Sequence, residues 1–145
     1  MLCNAALRLQ DKASLPFRDY AANNPNNNST GNAALNVYGT FTPNSSYFYA
    51  PVMQDGSAID LSAKTGAWSV TSSLTDGGNR TTTFAAGATV KLELGERSFA
   101  RGEKVISWTT QPDATFTNKA WNLESRADGL YVVNRVGTGT VIVVF

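Results

Sequence analysis

The chain has 145 residues, and Ser, Thr, Asn and Gly together fill 53 of them, a composition suited to strands and turns rather than helices. With 42% hydrophobic and 16% charged residues it is neither a charge-driven disordered tail nor a membrane bundle, and one domain of this size buries about 70% of its unfolded surface. Twelve basic against 11 acidic side chains leave a net charge of +1, which gives no electrostatic footprint for nucleic acid or anionic lipid, and the absence of histidine removes His-based triads and His-metal sites.

At the start, Met1-Leu2-Cys3-Asn4 carries neither the basic stretch nor the apolar run of a signal peptide. Cys3 is the single cysteine, so no intrachain disulfide and no Cys-based metal site is expected, and it reads as an inert thiol. Asn4-Ala5-Ala6-Leu7-Arg8-Leu9 then returns as Asn32-Ala33-Ala34-Leu35-Asn36-Val37 after 28 residues. A looser echo, a small residue followed by apolar-x-apolar, recurs at Ala58-Ile59-Asp60-Leu61 and Thr89-Val90-Lys91-Leu92, with further steps of 24 and 31 residues. Such spacings match the coils of a β-solenoid, in which Leu7, Leu35, Ile59 and Val90 would stack inward with Leu9, Val37, Leu61 and Leu92 beside them. The expected fold is therefore all-β, a right-handed parallel β-solenoid or β-helix segment. Because antiparallel sheets also repeat apolar-x-apolar between turns, an antiparallel β-sandwich or jelly roll is the alternative.

Between the two halves of the first echo lies an Asn-rich loop, residues 21–31, broken at Pro25; the whole of 1–145 reads as a single β domain around it. Strands are expected at Trp68-Ser69-Val70, Thr81 to Phe84, Val90 to Leu94, Val105 to Trp108, Leu130 to Val133 and Thr140 to Phe145. Turns are expected at Asp55-Gly56, Asp76 to Asn79, Leu94-Gly95-Glu96, Arg101-Gly102-Glu103 and Asp128-Gly129, where glycine supplies positive φ. Thr109 to Lys119 reads as a loop holding at most one short strand. The terminal alternation of Val141, Val143 and Phe145 resembles the last strand of an outer-membrane barrel, although one strand does not make a barrel. No apolar run approaches the 18 residues of a membrane-spanning helix.

Residues 53 to 69, Met-Gln-Asp-Gly-Ser-Ala-Ile-Asp-Leu-Ser-Ala-Lys-Thr-Gly-Ala-Trp-Ser, resemble a recurring module of bacterial autotransporter-type passenger proteins. Thr82 to Leu92 is similar to their strand, Gly-Ala turn and strand rungs, Gly102 to Trp108 to a late rung, and Asp128-Gly129-Leu130-Tyr131-Val132 to a closing strand. The likeness spans Met53 to about Val133 and brings no catalytic signature. It implies a β-helical stalk at the bacterial cell surface or secreted, a fragment of a longer exported protein without disulfides, since such chains cross a membrane unfolded.

Candidate chemistry is sparse. Gly137-Thr138-Gly139-Thr140 lies between strands and so presents no helix N-terminus to a phosphate, and neither a phosphate loop nor a Gly-x-Ser-x-Gly elbow occurs. Asp55, Asp60, Glu93, Glu96, Glu103 and Asp128 are spread through turns and outward strand positions and read as solvated surface rather than a glycosidase pair. The rings are more suggestive. Tyr47, Tyr49 and Trp68 are the candidate binding residues, because exposed rings stack on sugar faces, although large aromatics in β-proteins commonly close the core. The expected function is a non-enzymatic structural or adhesive segment, with no cofactor and no metal. The alternative is a carbohydrate-binding sandwich module with a glycan or cell-surface partner.

Overall fold

A computed structural model describes residues 14–16, 34–43, 50–73 and 79–137. Among them no helix forms, and the strands are β1 (Ser14–Pro16), β2 (Ala34–Val37), β3 (Thr40–Thr42), β4 (Ala50–Met53), β5 (Ala58–Asp60), β6 (Trp68–Ser69), β7 (Thr71–Ser73), β8 (Asn79–Thr81), β9 (Thr83–Phe84), β10 (Ala88–Glu93), β11 (Glu103–Ser107), β12 (Ala114–Thr117), β13 (Trp121–Arg126) and β14 (Gly129–Arg135). The all-β expectation holds. Its cause is plainest in β10, where Ala88, Val90 and Leu92 are buried and Thr89, Lys91 and Glu93 face solvent, the two-residue period of a strand covered on one side.

The strands form a five-stranded sheet ordered β1-β3-β5-β10-β12, a three-stranded sheet β2-β4-β9, a four-stranded sheet β13-β14-β11-β6 and the β7-β8 hairpin. Every pairing in the first two sheets is parallel, as is β6 with β11; the antiparallel pairings described are β7 with β8, β11 with β14 and β13 with β14. The chain visits the sheets in a repeating order. It runs β4, β5, β6 through the three-, five- and four-stranded sheets, and after the hairpin it runs β9, β10, β11 through the same three.

Apolar residues meet in register along these ladders. Phe41, Ile59 and Leu92 lie opposite one another in β3, β5 and β10, and Val37, Met53 and Phe84 do so in β2, β4 and β9. Phe41, Ile59, Val37 and Met53 are fully buried. The connections are tied across as well: Ala85 N donates to Met53 O at 2.9 Å, Gln54 N to Val37 O at 2.9 Å and Gly56 N to Thr89 O at 2.9 Å. These bonds pair backbone polar groups at the ends of the strands that the sheet ladders leave open.

Two expectations about this core change. Leu35 does not stack with Ile59, because it pairs with Pro51 in the three-stranded sheet, and Val90 pairs with Phe116 while Ile59 faces Leu92. The physical reason is that each pass carries more than one strand. A bend at Tyr38-Gly39 separates β2 from β3, so an echo in sequence lands on different sheets in different passes. The strand expected over Thr81 to Phe84 is likewise divided. Thr82 is buried at 2% exposure and its amide donates to Val70 O at 2.8 Å, leaving Thr81 in the hairpin and Thr83 in the three-stranded sheet. Leu7, Leu9 and the strand expected at Thr140 to Phe145 lie outside the described residues.

Within the four-stranded sheet the parallel order stops at β11. The next strand alongside it, β14, runs the other way and pairs in turn with β13, a strand with no counterpart among those expected from sequence. Gly129 makes this possible by close approach rather than by positive φ: a Cβ there would collide with the Ile106 carbonyl. At Gly95 positive φ is what matters, since φ is 68° and a Cβ would stand 3.2 Å from that of Ser62. Rings fill the space behind the meander, with Trp108 stacked on Phe116 at 5.6 Å, Phe84 edge-on to Phe116 at 5.1 Å and Phe99 edge-on to Trp121 at 5.5 Å.

Candidate functional site

Of the three rings singled out for sugar stacking, Tyr47 and Tyr49 lie outside the described residues. Trp68 is 7% exposed, meets Phe41 edge-on at 6.1 Å and sits opposite Ile106 in β11, so its faces are occupied by the core. Three of the six carboxylates weighed for acid-base chemistry hold backbone amides near turns. Asp55 accepts from Thr89 N at 2.8 Å, Asp60 from Ser62 N and Oγ at 2.9 and 2.6 Å, and Glu103 from Ala100 N and Arg97 at 2.9 Å each. No three His, Cys, Asp or Glu residues come together as a metal site among the described residues.

Two arrangements remain that bring polar groups together. On the outward face of the meander, Lys104 and Glu124 flank Tyr131 from the two neighbouring strands, as their register requires. Lys104 Nζ donates to Asp128 at 2.6 Å, the Tyr131 hydroxyl lies 2.8 and 2.9 Å from the two Asp128 oxygens, and the Arg126 guanidinium covers the Tyr131 ring at 4.3 Å while donating to Glu124 at 3.0 Å. These bonds stabilise the charged forms. The Lys104 ammonium, then the Tyr131 hydroxyl, hold the Asp128 carboxyl below its ordinary value; Arg126 does the same to Glu124, and Asp128 raises Lys104. A second chain of contacts runs from Arg97 over Phe99 at 4.2 Å to Trp121, and Arg135 lies over Trp121 at 5.0 Å. Every cation in these two chains has a ring or a carboxylate as partner, so the face is self-contained and suits a strand-locking role.

The other arrangement is an open groove of about 420 Å³ lined by Lys91, Leu92, Glu93, Thr117, Asn118 and Lys119. It exists because β12 ends at Thr117, opposite Lys91, while β10 continues through Glu93. Asn118 makes the step. Its Nδ2 donates to Leu92 O at 2.8 Å in place of a backbone amide, and its Oδ1 accepts from Ala120 N at 2.8 Å and Trp121 N at 3.0 Å, which turns the chain out of the sheet. Around this fixed floor the charged ends of Lys91, Glu93 and Lys119 have no hydrogen-bond or ion-pair partner among the described residues.

Sequence reasoning missed both arrangements. Asn118 lay in a segment read as loop, and the one cue to it was an Asn two residues before the small Ala120, where an Asx turn is at home. Tyr131 was assigned to a strand, but its partners come from two other strands whose antiparallel register no local pattern specifies.

The described residues define an all-β fold of several sheets, in which parallel sheets lie with a four-stranded sheet that ends in an antiparallel meander. Comparison of the chain with protein-family models, with curated proteins and with solved structures returns no match.

Proposed function

We propose that this chain is a non-enzymatic structural and adhesive segment of an exported bacterial surface protein, built as a right-handed β-solenoid whose coils are the repeated passes through the three sheets. One observation carries the reading: strand order in the five-stranded sheet rises with sequence, β1-β3-β5-β10-β12, with every pairing parallel and, from β3 to β12, inward residues in register. Coil-on-coil stacking generates that order, and parallel crossovers are almost always right-handed. A stack of this kind is rigid because each coil buries the one before it. The β7-β8 hairpin, polar on both faces, leaves the stack between two coils as an excursion and suits loop display. The likeness of Met53 to Val133 to passenger modules supports placement at the cell surface within a longer protein.

The reading is tested on intact cells of the source bacterium with an antibody raised against the folded chain. Surface labelling that is removed by external protease is the expected result. Labelling only after the envelope is opened, with the antigen in the cytosolic fraction, overturns it.

A further inference from the structure

We propose that the groove at the β10-β12 step binds a carboxylate-bearing sugar unit of a glycan. The stalk reading requires no ligand; the inference rests on it only for the expectation that a surface protein meets polysaccharide.

What marks the groove is that two cations and one carboxylate, all unpartnered among the described residues, line a single concavity. Arg97, Lys104 and Arg126 are each committed to a carboxylate, and Arg135 to a ring. Lys91 lines the groove from β10 and Lys119 from the bend that follows β12, and neither has such a partner among the described residues. Two ammonium groups around one concavity attract an anion and can each donate a charge-assisted hydrogen bond to it. Glu93 lines the same groove and changes what anion fits. An anion that offers no hydroxyl donor on that side leaves this carboxylate unpaired, whereas a ligand carrying both an anionic group and several hydroxyl donors satisfies all three side chains at once. An acidic sugar has that combination on one ring, with its carboxylate for the lysines and its hydroxyls for Glu93 and Thr117.

The floor suits binding because it is already rigid. Asn118 spends its amide on Leu92 O and on the Ala120 and Trp121 amides, so it fixes the shape without needing a ligand. The volume of about 420 Å³ falls within the range of small-molecule sites.

The test is titration calorimetry of the whole chain with three probes: an oligogalacturonate tetramer, the same tetramer as its uncharged methyl ester, and inorganic phosphate. The acidic tetramer should bind and the other two should bind at least about tenfold more weakly, the discrimination expected when one charged contact is lost. Lys91→Gln and Lys119→Gln should each weaken the tetramer by about tenfold, while Arg101→Gln, an equal charge change at an exposed turn outside the groove, should leave it within about twofold. Glu93→Gln is decisive. It should weaken the tetramer, because the better hydroxyl acceptor is lost, although it makes the groove more positive. If Glu93→Gln instead tightens both tetramer and phosphate, the groove is merely an electrostatic attractor and the proposal fails. It also fails if the acidic tetramer does not bind, or if it binds equally well to all four variants. Circular dichroism of each variant checks folding. A chain that labels the cell surface yet ignores the tetramer sinks the groove alone, and one that binds it but stays in the cytosol sinks the stalk alone.

Discussion

Ile59 and Leu92 face each other across parallel strands β5 and β10, both almost closed to solvent, while their neighbours Asp60 and Glu93 form the adjacent outward pair. This pairing links two passes of the chain and makes the inward and outward roles unequal. Ile59→Asp places a carboxylate among Phe41 and Leu92 at a cost of several kcal/mol, comparable to much of a domain's stability of about 5 to 15 kcal/mol, and should prevent folding. Asp60→Asn keeps an acceptor for Ser62 and should shift stability by about 0.5 kcal/mol or less. Urea unfolding of the two variants checks the contrast, and equal losses would place Ile59 at the surface.

Asn118 replaces a missing rung. Asn118→Ala removes one donor to Leu92 O and one acceptor for two amides, and should cost about 2 kcal/mol in denaturant midpoint analysis. Asn118→Asp retains the acceptor but faces Leu92 O without a donor, so it should fall between the wild type and Asn118→Ala. If Asn118→Ala unfolds at the wild-type midpoint, the side chain does not hold the step.

Gly129 and Gly66 give a controlled comparison of backbone crowding. An added Cβ at Gly129 runs into the Ile106 carbonyl in the neighbouring strand, whereas one at Gly66 meets nothing within 4 Å. Gly129→Ala should therefore lower stability by about 2 kcal/mol or more and Gly66→Ala by less than about 0.5 kcal/mol. Thermal melts of both proteins measure the difference, and a neutral Gly129→Ala would mean that β11 and β14 are not in close register.

The outward network of the meander has a pH signature with a definite sign. Asp128 and Glu124 have carboxyls held below their ordinary values, so the stability they add is complete above the unfolded-state value and is lost as pH falls through the lowered, folded-state value. Lys104 works the other way: its contribution is complete below the ordinary lysine value and disappears as pH rises through the raised one. Asp128→Asn should thus melt lower than wild type near neutrality, with the gap narrowing on acidification below about pH 4. A gap that stays constant down to pH 2 would show that the carboxylate is unpaired in solution.

How far the sequence could be read depended on whether a feature was local. Alternation within a strand is local, so the inward Val90 and outward Lys91, like the inward Ile59, were legible from the pattern alone. The glycine turns at Gly56, Gly95 and Gly102, all with positive φ, were legible for the same reason. Which strand lies beside which is not local. The echo set Leu35, Ile59 and Val90 in one row, but the bend at Tyr38-Gly39 puts Leu35 into a different sheet and a two-residue shift brings Leu92 rather than Val90 opposite Ile59. Trp121 to Arg126 escaped notice because most of its residues are polar and its burial comes through Trp121 and partly through Leu123, against rings far away in sequence. Trp68, weighed as a sugar platform, is covered by Phe41, a contact that no spacing in the sequence announces.

The register between β5 and β10 can be read directly by cysteine cross-linking in a Cys3→Ser background. Ala58 lies opposite Lys91, both on the outward side, whereas the row suggested by the echo would set Ala58 opposite Thr89. Disulfides do not form when Cα atoms are more than about 7 Å apart, so a two-residue offset along a strand is enough to separate the two cases. Mild oxidation of the Ala58→Cys/Lys91→Cys chain should give an intramolecular disulfide in high yield, and the Ala58→Cys/Thr89→Cys chain should remain reduced. Preferential cross-linking of 58 with 89 would contradict this register, and cross-linking of neither pair in the folded protein would contradict the parallel β5-β10 pairing on which the account stands.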